Sequence, residues 1–296
     1  MPTAPHRVRR RTCRTRRPRP HRRHGIGTAL ACAALGATAL TAAPTATAAP
    51  DAPTTVQVKP DLKVYYTAAA GQANDVTITY AFRDDGSYGG LYDFTVDDRV
   101  PLTAGEGCAH PDPADRTKVV CTVPPPGDSA SDLEKLVADT GDGNDRVTVD
   151  PGNNAYLTLH GGKGDDTLKA NGYVTIHGDA GADRTTGGGG AWGEGAFGGA
   201  GDDTMTGCAS SCDGGTGDDT LTGTDRPNSL TGGDGKDTVH GKAGKDDIRG
   251  GRGDDKLYGD RSDDTMYGNS GDDLLRGGAG RDKLSGGPGR DKVHQD

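Results

Sequence analysis

Apolar side chains are scarce in this chain of 296 residues, of which only 31% are hydrophobic and 4% aromatic. Ordering one residue costs roughly 1–2 kcal/mol of backbone entropy. The cost is higher at glycine, and the chain has 50 glycines. So polar a chain has too little apolar surface for one large core. It must either stay disordered or gain stability from something other than apolar burial.

Glutamate is almost missing as well. The chain has 43 acidic residues, yet glutamate occurs only at Glu106, Glu134 and Glu194. General surface solvation would use both acids freely. Aspartate has the shorter carboxylate, which suits tight turns and oxygen-rich cation sites. The bias therefore predicts a repeated turn geometry that binds a cation.

Basic residues are concentrated at the start of the chain. Residues 1–50 contain ten of the 34 basic residues and no acid, so the remainder has 24 bases against 43 acids and a net charge of −19. Such a surface repels nucleic acid and anionic membranes and attracts cations. We therefore expect no nucleic-acid partner.

Residues 1–49 have the pattern of a signal peptide. A basic stretch leads into an apolar run and then into the small residues 46–49. We expect cleavage near Ala49 and a secreted, extracellular protein. The pair Arg22-Arg23 is compatible with export by the twin-arginine pathway, which stays an alternative. Cys32 lacks the sequence context of a lipidated cysteine, so we do not expect a lipoprotein. No later apolar stretch is long enough to span a bilayer.

Four cysteines remain after the leader: Cys108, Cys121, Cys208 and Cys212. An even number in an exported protein predicts two disulfides, although four cysteines permit three connectivities. Proximity in the chain favours pairing the first with the second and the third with the fourth. A zinc site is the alternative, but the ligand spacing and histidine partners typical of structural zinc are missing.

A nine-residue repeat fills the C-terminal part of the chain. Nine copies follow one another without a gap from Gly214 to His294, for example GGDGKDTVH from Gly232. Glycine stands at the first and usually the second and fourth places, aspartate or asparagine at the sixth, and an apolar residue at the eighth. Glycine permits positive φ angles, so six residues can form a tight loop and three a short strand. Earlier, more widely spaced copies begin at Thr140, Gly161, Gly178 and Gly198, and the one at Gly178 is looser.

These repeats resemble the haemolysin-type calcium-binding (RTX) family, whose motif is G-G-x-G-x-D-x-U-x. The resemblance covers residues 140–294. It implies an all-β fold, a right-handed parallel β-roll, and several calcium ions as cofactors. It also implies that the sixth-place aspartates, with turn carbonyls, share each ion between two stacked loops. The implied metal ligands are Asp145, Asp166, Asp183, Asp203, Asp219, Asp237, Asp246, Asp255, Asp264, Asp273, Asp282 and Asp291.

Since one nonapeptide is half a turn of a roll, the resemblance also implies which turns share ions. Repeats two apart, about eighteen residues, should stack on the same side. The regular repeats would then form two series, the first Asp219, Asp237, Asp255, Asp273, Asp291 and the second Asn228, Asp246, Asp264, Asp282. We expect six strong sites and one weak site, at Asn228, in this run. Fifth-place aspartates, such as Asp254, should face solvent, and the eighth-place side chains should face inward.

The segment before the repeats predicts a small β domain. Alternating β-type stretches begin at residues 56, 63, 75, 92 and 118. Its GC…VxCT element, before GDGND, resembles that of secreted actinobacterial calcium-binding proteins and implies no ligand. The predicted organisation is a signal peptide (1–49), a disulfide-bonded β domain (50–138), early irregular repeats (139–197) and a regular RTX roll (198–296).

No catalytic motif is present: the chain lacks H-E-x-x-H, G-x-S-x-G and P-loop patterns. Pairs of histidines, His160 with His177 and His240 with His294, fall where a roll could bring them together, but exposed strand-end histidines are the simpler interpretation. We predict a non-enzymatic, calcium-binding structural protein or one that binds a cell surface or polysaccharide. The alternatives are an extracellular polysaccharide hydrolase or lyase and a haemolysin-like toxin.

Overall fold

The computed structural model describes residues 52–84, 86, 90–124, 134–150, 155–189 and 195–295. These residues form strands and turns, and no helix among them is long and apolar enough to cross a membrane. The predicted signal peptide, residues 1–49, lies outside the described residues.

Twelve strands form one sheet, called sheet A. In spatial order it consists of β5 (Thr103–Ala104), β1 (Thr55–Val58), β2 (Val64–Thr67), β8 (Glu134–Asp139), β10 (Tyr156–Lys163), β12 (Val174–Ala180), β14 (Ala196–Ala200), β16 (Ser211–Thr216), β18 (Ser229–Asp234), β20 (Asp247–Arg252), β22 (Thr265–Ser270) and β24 (Lys283–Ser285).

Thirteen strands form the other sheet, called sheet B. In spatial order it consists of β6 (Cys108–Ala109), β7 (Lys118–Val123), β4 (Leu91–Asp97), β3 (Asp75–Arg83), β9 (Arg146–Val149), β11 (Thr167–Ala170), β13 (Arg184–Gly187), β15 (Thr204–Thr206), β17 (Thr220–Thr222), β19 (Thr238–His240), β21 (Lys256–Tyr258), β23 (Leu274–Arg276) and β25 (Lys292–His294).

From β8 onward the chain alternates between the two sheets. Each strand pairs in parallel with the strand two positions later, as Thr238 does with Lys256. In the regular repeats this partner is eighteen residues away, which is two nonapeptides. Because the turn after each strand sends the chain to the opposite sheet, nine residues make half a turn of the roll. The predicted all-β parallel β-roll is confirmed.

The core between the sheets is one side chain thick. Eighth-place residues point inward, and seven of them are completely buried: Leu221, Leu230, Val239, Ile248, Leu257, Met266 and Leu275. The prediction fails at the last two places. Leu284 is only half-buried, and Val293 is 45% exposed. No described strand lies beyond β25 to cover the Val293 side chain.

The five strands predicted before the repeats are present as β1, β2, β3, β4 and β7. β2 and β3 pair in parallel with β8 and β9, so this segment continues both sheets of the roll. Antiparallel pairing of β3, β4 and β7 then brings Ile78, Phe94 and Val119 into a fully buried cluster. This end of the roll therefore has a thicker apolar core than the repeats. The predicted domain limit after residue 138 falls inside β8 and stays a prediction.

Both predicted disulfides are present. Cys108 and Cys121 join the paired strands β6 and β7, and Cys208 joins Cys212 across the turn that leads into β16. Because the first bridge closes a separation of 13 residues, the chain-entropy estimate of its stabilisation is about 3 kcal/mol. It ties together the strands at the outer edge of sheet B.

Two valines at the same repeat position test the thin core. Val239→Ala should lower the free energy of unfolding by about 2 kcal/mol, because Val239 is fully buried and its truncation leaves a cavity. Val293→Ala should cost less than about 0.5 kcal/mol, since nearly half of Val293 is already exposed to water. Guanidinium unfolding in saturating calcium measures both. Equal losses in the two variants would contradict this arrangement, in which eighth-place side chains point into the core and the one in β25 is left uncovered.

Candidate metal centres

A continuous column of aspartates runs along the turns that lead into sheet B, here called the B column. The backbone N–H of each aspartate donates to the Oδ1 atom of the next, over 2.7–3.1 Å. Its members are Asp145, Asp166, Asp183, Asp203, Asp219, Asp237, Asp255, Asp273 and Asp291. The structure thus joins the four early predicted residues to the five regular ones, although the early spacings are not eighteen.

A shorter column lies along the turns that lead into sheet A, here called the A column. It repeats the same contact: the N–H of Asn228 donates to Asp246, that of Asp246 to Asp264, and that of Asp264 to Asp282, over 2.8–3.0 Å. The two-apart stacking of the turns is therefore present on both sides of the roll.

Glycine makes this stacking possible. Gly253, at a fourth place, has φ +125°, and a Cβ there would clash with the carbonyl oxygen of Gly235 in the turn below. At the first place, a Cβ on Gly250 would meet the Oδ2 atom of Asp255 and lie 2.8 Å from the carbonyl oxygen of Gly268. The missing side chain leaves a space that is bordered by a carboxylate oxygen and a carbonyl oxygen.

The second carboxylate oxygen of these aspartates has no protein partner. Among the described residues, Oδ2 is buried without a hydrogen bond in Asp145, Asp166, Asp183, Asp203, Asp219, Asp237, Asp246, Asp255, Asp264, Asp273 and Asp282. Leaving a buried charged group unpaired is costly, so the group must bind a cation or a proton. Oxygen donors on a glycine-lined turn fit a hard cation such as calcium.

The alternative to a cation is a proton, and the pKa values show the competition. Burial raises the pKa of Asp219, Asp246 and Asp255 to about 7. The same cause raises the pKa of Asp237 and Asp264 to about 6. Nearby carboxylates raise these values further, while the backbone N–H bond to Oδ1 opposes the rise. Without metal, these five carboxylates are therefore partly protonated near pH 7.

The family comparison agrees with this geometry. The family described as RTX calcium-binding nonapeptide repeat (4 copies) matches residues 158–172, 170–191, 196–207, 213–248, 240–275 and 267–294. These segments are RTX calcium-binding repeats. The predicted family is thereby confirmed, and calcium, at several sites, is the cofactor. The search of curated proteins found no match.

The fifth-place aspartates of the RTX repeats are exposed, as predicted, but they also form hydrogen bonds and ion pairs. Asp254 Oδ1 accepts a hydrogen bond from the N–H of Asp272, 3.0 Å away in the next turn, and Asp263 does the same for Arg281. Asp254 also forms an ion pair with Lys236 at 2.9 Å. Sequence reasoning missed this outer ladder, although aspartate doublets at eighteen-residue intervals are a visible signal of it.

The two columns differ in length, which the sequence did not predict. In the turn before β16, Ser210 occupies the place that Asn228 has in the next turn, as their matching backbone contacts show. That turn has only four residues, 207–210, and the buried Cys208–Cys212 disulfide closes it. Asn228 donates from Nδ2 to the Cys208 carbonyl at 2.8 Å. A covalent bond thus closes the turn that directly precedes the A column.

Asn74 extends the B column by one turn at its other end. Its backbone N–H donates to Asp145 Oδ1 at 2.6 Å, and its side-chain nitrogen reaches the same atom at 3.0 Å. Asn74 lies outside any nonapeptide, so no repeat pattern could have found it. The sequence signal is only its position directly before a β-type stretch.

The histidine pairs behave differently from each other. The rings of His160 and His177 stack at 4.6 Å, and His160 Nδ1 lies 3.1 Å from Asp179 Oδ2, which raises the pKa of His160. These three side chains each place one potential ligand atom within 4.8 Å of the others. His240 and His294 are not together, because β21 and β23 lie between their strands.

The raised aspartate pKa values predict how the metal-free roll responds to pH. A folded-state pKa near 6–7, against 3.8 for the ordinary group, means that the folded chain binds more protons than the unfolded chain between these values. In chelator, the stability that these aspartates contribute should therefore be greatest below about pH 4 and should fall as the pH rises through 7. Calcium affinity should rise over the same interval, because binding displaces protons.

Circular dichroism melts in chelator from pH 4.5 to 8, and calcium titrations at the same pH values, measure both trends. A Lys236→Gln variant is the control, since it changes a surface charge and leaves the buried carboxylates alone. Metal-free stability that increases with pH would contradict the assignment.

Proposed function

We propose that this chain is a secreted calcium-binding protein whose RTX repeats fold when calcium occupies their turns. We further propose that residues 1–49 are its signal peptide and that it has a structural role or binds a cell surface or polysaccharide. The observation that carries the calcium-dependent folding is the series of buried Oδ2 atoms without partners. The acidic chain that remains after residue 50, with its two disulfides, supports the extracellular location.

The sixth-place aspartates are the proposed calcium ligands, together with carbonyl oxygens of the turns. In the B column, nine aspartates bracket eight intervals between neighbouring turns. In the A column, Asp246, Asp264 and Asp282 bracket two intervals, and Asn228 adds a weaker one because an amide oxygen lacks the negative charge of a carboxylate. The proposed sites of the regular repeats are thus six strong ones and one weak one, and the early B column adds four more proposed sites.

Calcium is needed because the columns concentrate negative charge in a thin fold. Neighbouring strands lie about 4.8 Å apart, so successive carboxylates of one column repel each other at short range. The single buried side chain of each half-turn contributes roughly 1.5–3 kcal/mol. A divalent ion between two carboxylates turns repulsion into attraction, and binding energy becomes folding energy.

Chelation should unfold the repeats before the N-terminal end. In the full chain, EDTA should remove amide-exchange protection at Val239, Ile248 and Leu257, whereas Val76 and Phe94 stay protected by their thicker core and disulfide. Added calcium should restore the protection, with individual affinities of roughly 10⁻⁴–10⁻³ M. Hydrogen exchange read by mass spectrometry measures this. Unchanged protection of the repeats in EDTA would refute calcium-dependent folding.

Three aspartate-to-asparagine substitutions test which residues bind calcium. Asp255→Asn should weaken calcium binding most, because Asp255 has an aspartate on both sides in the column. Asp291→Asn should weaken it less, because only Asp273 neighbours it. Asp254→Asn should change it least, since that side chain is exposed.

Asparagine keeps an oxygen for the Oδ1 hydrogen bond, so these variants isolate the charge of the carboxylate. Isothermal titration with calcium gives the order. If Asp254→Asn were the most damaging, or if all three were equal, the assignment of the sixth place as the ligand would be wrong.

A further inference from the structure

The repeat part of sheet B, from β9 to β25, has an outer face without acidic side chains. From β9 to β25, its nine strands each direct two side chains outward, on either side of the buried one. Eight of these eighteen are threonine and none is aspartate or glutamate. Six are cations: Arg146, Lys169, Arg184, Lys256, Arg276 and Lys292. We call this surface the acid-free face. In a chain with 43 acids it stands apart from the rest of the surface.

The comparable face of sheet A does not share this property. Asp213 and Asp247 lie on its outward positions, in register with Thr231 and Ser229 of β18, respectively. Its cation Arg249 forms an ion pair with Asp247 at 2.9 Å, and Arg252, near the edge of the sheet, pairs with Asp234 at 3.1 Å. Segregation of charge is therefore particular to sheet B.

The cations of the acid-free face are exposed and are not neutralised by the protein. Within the described part of the chain, Lys256, Arg276 and Lys292 have no ion pair, whereas Lys236 in the adjoining turn pairs with Asp254. Balancing the acidic turns is therefore not their role in this structure. The register of β21, β23 and β25 places them on neighbouring strands.

We propose that the acid-free face binds an acidic polysaccharide along the axis of the roll, a proposal that rests on the surface-binding role given above. Nine strands at about 4.8 Å spacing make a strip about 38 Å long and only two outward residues, about 7 Å, wide. Such a strip fits one extended polyanion. Arginine and lysine bind its carboxylates or sulfates, and threonine hydroxyls between the two groups of cations can donate to and accept from sugar hydroxyls.

A nucleic acid fits this strip less well. Binding of single strands relies on aromatic platforms for the bases. The only aromatic side chain among the eighteen, apart from histidine, is Tyr258, and the His240 ring stacks on it at 4.4 Å. A duplex is much wider than the strip and would bring phosphates against the aspartate turns on both sides.

Calcium controls this face through the B column. Each face strand in the regular repeats follows directly after a sixth-place residue, as Lys256 follows Asp255 and Lys292 follows Asp291. Calcium in these turns neutralises the carboxylates nearest to the cations, so the face attracts a polyanion only when the turns are filled. Glycan binding should therefore disappear in EDTA.

The test uses the full chain in saturating calcium with four probes: polygalacturonate, heparin, neutral dextran and a poly-dT oligonucleotide. The triple variant Lys256→Gln/Arg276→Gln/Lys292→Gln should bind polygalacturonate or heparin about tenfold more weakly, with a smaller salt dependence. The matched control Lys245→Gln/Arg249→Gln/Arg252→Gln removes the same charge from paired cations outside the face, and its affinity should stay within about twofold. Thr220→Lys, which adds a cation to the row, should strengthen binding.

Equal losses in the two triple variants, or an unchanged face variant, would overturn the proposal, as would tighter binding of poly-dT than of either acidic glycan. Which of the two glycans binds more tightly distinguishes carboxylate from sulfate recognition. Circular dichroism with and without calcium is recorded for every variant. Calcium-induced folding without glycan binding refutes this inference alone, whereas loss of calcium-induced folding in the unmodified chain refutes the proposed function.

Discussion

The sixth-place carboxylate is the group on which the rest of the roll depends. One oxygen accepts the N–H of the preceding turn, as Asp255 Oδ1 does from Asp237, and so sets the register between turns. The other oxygen is buried without a protein partner. The protein thus supplies a hydrogen-bond donor for one oxygen of this side chain. The partner of the other oxygen must be a cation or a proton. Stacking and ion binding are coupled because they use the two ends of one group.

Where the aspartates stop, other interactions replace them. The A column begins at Asn228, and the turn before it is closed by the Cys208–Cys212 disulfide inside the roll. At the end formed by β1 to β7, aromatic and aliphatic side chains such as Phe94 provide burial that the repeats lack. The source of stability thus changes along the molecule, from apolar burial and a disulfide near β1 to β7 to bridging of carboxylates by cations in the repeats. Such a gradient follows from the composition, because the glycine-rich repeats have one apolar residue in nine.

Charge is also separated across the roll rather than along it. In the repeats, the turns carry most of the aspartates, whereas the outward positions of sheet B from β9 to β25 carry mainly threonine and cations. Period-two alternation in the strands makes this separation possible: the eighth residue is inside, so the seventh and ninth are both outside and available for recognition. The turn sequence can then serve calcium while the strand sequence serves a different ligand.

The sequence by itself determined the nonapeptide period and the inward eighth position and favoured the disulfide partners, because each follows from local spacing. The two-apart pairing of turns came from the resemblance of the repeats to the RTX family. The sequence also indicated calcium, through glycines that permit stacked turns and aspartates at a constant place. Only the tertiary structure decided that Asn74 and the irregularly spaced Asp145 to Asp203 belong to one column, that Val293 is uncovered, and that His240 and His294 lie apart. These depend on which strands lie side by side, and where turns vary in length, sequence distance no longer measures the number of turns between two residues.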